Sequence, residues 1–183
     1  MVCSLEEGSV LLISMPFADI TVPSIQLALL ETYLKKQGIN ASSLHLYLFA
    51  AEAYGLEQYS NLIHSPNDPY VSQLIFTKYV FPDHWQKKKQ EIKEFYEESI
   101  QSVMEKTIDL PFNEYEEKTD SFISNIMEGI NWDGYNLIGF SLNYGQILPS
   151  LAVAKQIKEK NPEKRIVLGG SSTLGNLGKR FIN

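Results

Sequence analysis

The sequence predicts an α/β fold, a parallel sheet with helices on both faces. Three observations predict it. Short apolar runs of strand length end in loops that lead into amphipathic helices; this strand–loop–helix–strand order occurs twice; and each of the two helices opens on a Pro-Ser pair.

The first unit begins with Ser9 to Met15, SVLLISM, a continuous apolar run bounded by Gly8 and Pro16 that suits a strand buried on both faces. Phe17 to Val22 is a loop. Pro23-Ser24 then starts a helix, since proline's missing N–H is no loss in the first turn. Ile25 to Gln37 follows, with Lys35 and Lys36 in the last turn, where cations complement the helix dipole, and Gly38 as its stop. Ser42 to Leu48 alternates loosely and reads as the second strand. In the second unit Tyr135 to Leu142, YNLIGFSL, is again a buried strand. Asn143 to Leu148 is a loop, and Pro149-Ser150 opens a helix with Leu151, Val153, Ala154 and Ile157 on its apolar face. Lys158, Lys160 and Asn161-Pro162 close that helix, and Arg165 to Leu168 is a fourth strand ending in Gly169-Gly170.

Between the units, residues 49–132 form an insertion far longer than an ordinary crossover. Ile92, Phe95, Tyr96, Ile100, Val103 and Met104 recur at helical spacing, as do Phe122, Ile123, Ile126, Met127 and Ile130. Pro66, Pro69, Pro82 and Pro111 punctuate the stretch. It is expected to be a helical cap beside the sheet, its aromatic stripes serving the core or walling a ligand or peptide groove. The whole, residues 1–183, reads as one α/β domain of the Rossmann-like class.

Composition excludes several function classes. The 183 residues carry 44% hydrophobic content, enough for one packed core, and a net charge of −6, which argues against a nucleic-acid surface. The dense basic run Lys87-Lys88-Lys89 is followed at once by acidic residues. Cys3 is the single cysteine, so neither a disulfide framework, a Cys-based zinc site nor an iron–sulfur cluster can come from this chain. Glu6 and Glu7 stand where a signal peptide would be positive, and no apolar run has the length of a spanning helix, so a cytoplasmic, membrane-free location is expected.

Ligands of open parallel sheets bind outside the carboxyl ends of the strands. Three segments end strands here: Pro16 to Val22, Ser141 to Leu148, and Gly169 to Gly175, the last reading GGSSTLG. The loop after the first strand has no glycine, so there is no dinucleotide fingerprint, and no phosphate-binding P-loop occurs. His45, His64 and His84 share no metal-ligand spacing, Ser141 and Ser171 have no histidine–acid partners in the pattern, and Glu114, Glu116 and Glu117 read as a solvated helix start. An autonomous enzyme is not expected.

The stretch VLLISMPFADITVPSIQLALLETYLKKQGI resembles the opening of radical-SAM maturases that modify ribosomally made peptides. In that family the first strand ends in Met-Pro-Phe and Pro-Ser starts the first helix, here Met15-Pro16-Phe17 and Pro23-Ser24. The later stretch NLIGFSLNYGQILPSLAVAKQIKEKNPEKRIVLGG is similar to the family's second unit. The resemblance implies a cobalamin-binding-like domain. Such modules carry Asp-x-His-x-x-Gly after the first strand, Ser-x-Leu at the end of a later one and Gly-Gly after the next. This chain keeps Ser141 and Gly169-Gly170, has Asn143 where the leucine would stand, and has Asp19 without the histidine or glycine. Cobalamin would therefore be held without a histidine axial ligand from this loop, against Pro16, Phe17, Ser141, Asn143, Gly169, Gly170 and Ser171.

The family continues into a barrel whose CxxxCxxC motif holds an iron–sulfur cluster, which nothing here can supply. The resemblance implies that the C-terminal part of the domain is truncated at Asn183, and that the partner is a radical-SAM protein, or the missing C-terminal half, acting on a peptide substrate. A missing edge strand would leave backbone groups unpaired, so a homodimer, a swapped edge or cover by the insertion is expected. Two other functions compete with a cobalamin-binding-like module: an interaction scaffold that has lost the cofactor, and a flavodoxin-like nucleotide or flavin binder receiving phosphate at a helix N-terminus.

Overall fold

The computed structural model describes residues 10–64, 71–101 and 110–173. Four strands, Val10–Ser14 (β1), Ala41–His45 (β2), Leu137–Ser141 (β3) and Arg165–Gly169 (β4), form one sheet in the order β2-β1-β3-β4. Every pairing is parallel, with Leu12 opposite both Ser43 and Gly139, and Gly139 opposite Val167. The chain moves outward from β1 to β2, then returns to the other side of β1 for β3. That reversal makes the gap between the carboxyl ends of β1 and β3 the switch point of the sheet.

Side chains alternate between the two faces, and the faces are covered differently. On one face Val10 and Leu12 of β1 and Ala41 of β2 pack with Leu27 of helix α1, Ile25–Lys36, with Leu34 and Leu137 partly buried against them. The opposite face is the main core. There Leu11, Ile13, Ile138 and Phe140, each at most 2% exposed, meet Ala152, Val153 and Ile157 of helix α7, Ile147–Lys160, and the whole insertion. Burying side chains of this size stabilises by about 1.5–3 kcal/mol each, so most of the driving force for folding lies on that side.

Helix α1 forms where expected. Ser24 caps it, its Oγ accepting from the N–H of Leu27 at 3.4 Å, and Gly38 leaves it with φ +77°, a left-handed conformation glycine adopts without strain. Two boundaries and one side chain differ from expectation. Strand β2 stops at His45, and a helix begins at once with Leu46. The reason is that Leu46, Tyr47, Ala50, Ala51 and Tyr54 recur at helical spacing and are all buried, which outweighs the loose alternation of Ser42 to Leu48. Helix α7 starts at Ile147, two residues before Pro149, which sits in the first turn where its missing N–H has no intrahelical partner. Glu116 is not a solvated helix-start acid: it is half-buried and bridges Lys78 at 3.2 Å and Lys89 at 2.7 Å.

The insertion is helical: Leu46–Tyr54 (α2), Leu56–Ile63 (α3), Thr77–Val80 (α4), Pro82–Gln101 (α5) and Phe112–Gly129 (α6), with a 3-10 turn at Val71–Phe76. Its aromatic stripes are core. Tyr54, Tyr59, Tyr96, Tyr115, Phe112 and Phe122 are essentially fully buried, and Tyr96 and Tyr115 stack at 5.2 Å. Phe95, expected in the same stripe, is 43% exposed. The expectations placed on Cys3, Glu6, Glu7, Gly8, Pro66, Pro69, Val103, Met104 and the end of the GGSSTLG segment lie outside the described residues, as does the side chain of Ile100. Among the described residues, no helix is long and apolar enough to cross a membrane.

Candidate functional site at the strand ends

The site is built from the carboxyl ends of three strands. After β1 the chain passes through buried Met15 and Pro16 to Phe17, whose φ of +77° is unusual for a residue with a side chain. What holds it is Tyr59 of α3. The Tyr59 hydroxyl accepts from the Phe17 N–H at 2.9 Å and donates to the Ala18 carbonyl at 2.8 Å. The Phe17 ring stacks on Tyr59 and meets Phe76 edge-on, with centroids 6.3 and 6.0 Å away. Burial pushes the Tyr59 phenol up, so it stays protonated and able to donate. Farther along the loop Asp19 accepts from both the hydroxyl and the N–H of Thr21, at 2.7 and 2.8 Å; these bonds hold its carboxyl below the usual range, the hydroxyl contributing most.

Strands β3 and β4 end side by side. The Leu142 N–H donates to the Gly169 carbonyl at 2.6 Å, and the Ser172 N–H donates to the Leu142 carbonyl at 3.3 Å. The two glycines differ in kind. Gly170 has φ +113°, and a Cβ there would lie 2.5 Å from the Leu142 oxygen and 2.9 Å from its nitrogen. It is glycine because the neighbouring backbone occupies the space. A Cβ on Gly169 would meet nothing within 4 Å, so that face is open. Beside it Ser171 and Asn143, both exposed, are joined by a hydrogen bond of 3.3 Å from the serine hydroxyl to the asparagine Oδ1.

At the switch point stands Gln146, 1% exposed. Its Nε2 donates to Ser14 Oγ at 3.1 Å and to the Met15 carbonyl, so one side chain from the β3–α7 connection ties down the end of β1. A second glutamine, from the insertion, ties down that connection itself: Gln73 Nε2 donates to the Tyr144 carbonyl at 2.9 Å, and its Oε1 accepts from the Leu148 N–H at 3.1 Å. Gln146 Oε1, Ser72 Oγ, Ser150 Oγ and Ser172 Oγ are buried without a hydrogen-bond partner among the described residues. Such groups in a folded interior call for a partner. All four belong to segments that bound this end of the sheet.

The sequence-derived residues thus divide. Ser141, Asn143, Gly169, Gly170 and Ser171 come together as one polar lip across β3 and β4. Pro16 and Phe17 follow β1, but the Phe17 ring turns toward the insertion and packs, partly buried, against the core. Gln146, Gln73 and Tyr59 were missed. A polar residue inside an apolar run, as Gln73 is in VSQLIF, was the available signal for one of them. The lip offers amide, hydroxyl and backbone groups, suited to a neutral, polar, hydrogen-bonding ligand. Among the described residues no group of three or more His, Cys, Asp or Glu is placed to hold a metal.

Fold and lip together make an open parallel α/β sheet with a polar rim at the strand ends. No protein-family model, curated protein or solved structure matches the chain.

Proposed function

We propose that the chain is a cobalamin-binding-like module of a peptide-modifying radical-SAM methyltransferase system, not catalytic alone. The observation that supports it best is the lip beside the switch point, where Gly169 leaves room for close approach and Asn143 and Ser171 offer polar groups. The residues fit the amide-bearing rim of a corrin, and the unpartnered Oε1 of Gln146 and Oγ of Ser172 are buried polar atoms that a ligand's amides would satisfy. Cobalamin, when bound, would supply a methyl group carried on cobalt, and methyl transfer to a peptide would need a separate radical-SAM partner. This chain's own part is to bind and orient. Asn143 and Ser171 would hydrogen-bond the rim, Gly169 would admit it, and residues 15–24, the loop after β1, contain no histidine that could ligate the metal.

The test is an absorbance titration with hydroxocobalamin and methylcobalamin, with Gly169→Val as control. A side chain at 169 fits the fold but intrudes on the lip, whereas one at 170 would disturb the strand ends themselves. Saturable spectral change at micromolar cofactor, lost in the control, supports the proposal; no change at millimolar cofactor sinks it. One observation favours a second reading, an interaction scaffold that has lost the cofactor. Gln146 fills the gap between β1 and β3, and a null titration moves the assignment there.

A further inference from the structure

Among the described residues the two sheet faces are unequally finished. On the α1 side the buried cluster stops at Leu137, and Val167, next on the same face, is 49% exposed. Helix α1 carries a surplus in turn. Leu27 points into the sheet, and Leu34, two turns on, is partly buried on the same side, which fixes the helix's rotation. At about 100° per residue, Leu30, Gln26, Tyr33, Leu29, Lys36 and Ile25 then sweep from one flank of the helix round to its outer surface. That stripe carries no carboxylate, its one charge being Lys36 in the last turn, although the chain as a whole is acidic. Ile25, Leu29 and Tyr33, spaced four apart as one ridge, are 68%, 65% and 63% exposed.

We propose that the occupant of this face is a second copy of the same chain, packed about a two-fold axis so that each α1 ridge lies over the other's β3–β4 half-face. The fit is self-complementary, as a two-fold interface requires. Two strands at about 4.8 Å spacing span roughly the 10 Å diameter of one helix, and the helix with an unused apolar ridge is α1. With Val22, Leu30 and Val167 added, the exposed apolar surface amounts to roughly 600 Å² per copy, most of the about 800 Å² that each partner of a stable dimer contributes. The absence of carboxylates on the stripe keeps the groups that make the chain acidic out of the contact. This inference does not depend on the cofactor reading.

The test is the mass of the full 183-residue chain in solution, by light scattering behind gel filtration from low to about 100 micromolar, for wild type, Leu29→Glu and Val167→Glu. The expected result is twice the chain mass of 20.8 kDa for wild type, and for both variants a dissociation constant raised by about a hundred-fold or more, with unchanged far-UV circular dichroism. Both positions are exposed, so neither change removes core contacts; should Leu29→Glu misfold, Tyr33→Ser takes its place. A wild-type monomer across the range overturns the proposal. So does a dimer that survives the α1 variant, because that would place the contact on a sheet edge instead.

Discussion

Gly169 and Gly170 are adjacent, and the structure gives them opposite sensitivities. Gly170→Ala must put a side chain on a backbone at φ +113°, which costs about 1–3 kcal/mol in strain alone. Its Cβ would also sit 2.5 Å from the Leu142 oxygen. Both nearest groups are backbone and cannot turn away, so the ends of β3 and β4 must part. The two hydrogen bonds joining them, Leu142 to Gly169 and Ser172 to Leu142, would weaken, at about 1 kcal/mol each. The expected loss is about 3–5 kcal/mol, or a melting temperature lower by roughly 6–20 °C at this chain length. Gly169→Ala meets open space at an ordinary φ, and is expected to change stability by less than about 1 kcal/mol, with a gain as the favoured sign. Urea unfolding followed by far-UV circular dichroism, with equal slopes for the two variants, measures the difference. Two alanine variants of equal stability would refute the reasoning, and with it the view that only Gly169 is free to serve a ligand.

Two further predictions concern the tyrosines. Tyr59→Phe keeps the ring stack on Phe17 but strips the hydroxyl that satisfies Phe17 N–H and Ala18 carbonyl, and is expected to cost about 2 kcal/mol; a variant within about 0.5 kcal/mol of wild type by the same urea assay contradicts the clamp. Burial is the largest cause raising the phenols of Tyr54, Tyr59, Tyr79, Tyr96 and Tyr115 above the ordinary 10.0. Because the unfolded chain releases those protons first, their contribution to stability is whole below pH 10 and falls as pH rises above it. Tyrosinate absorbance from these five should therefore rise together with loss of helical circular dichroism; full ionisation of all 10 tyrosines in a chain that keeps its native spectrum would exclude this.

Much of the sheet was legible because its strands are nearly continuous apolar runs, VLLIS and LIGFS, and because Ser24 and Gly38 mark the ends of α1 locally. The β2 boundary was not, since Leu46 and Tyr47 satisfy a strand's alternation as well as a helix's stripe until Ala50, Ala51 and Tyr54 are counted with them. The lip was half legible. Asn143 and Ser171 follow strands and could be placed at their ends. Gln146 on Met15, Gln73 on Tyr144 and Tyr59 on Phe17 are contacts across 131, 71 and 42 residues of chain, and no local pattern encodes them. Gly170 read as ligand-facing because a glycine pair looks alike in sequence; the position of Leu142's backbone is what separates the two.

The insertion lies between β2 and β3, and β1 is an interior strand that needs both neighbours. On a ribosome β2 follows β1 almost at once, whereas β3, whose Leu137 pairs with Val10, is made about 130 residues later. At typical synthesis rates that is roughly ten seconds with one edge of an apolar strand unpaired. Closing so long a loop costs about 4 kcal/mol in chain entropy if the intervening residues are unstructured. A prior collapse of the insertion around its buried tyrosines would shorten that loop and cover one face of β1 while it waits. The same helices that clamp the strand ends in the finished protein would then act, during synthesis, as a built-in guard against mispairing of the nascent sheet.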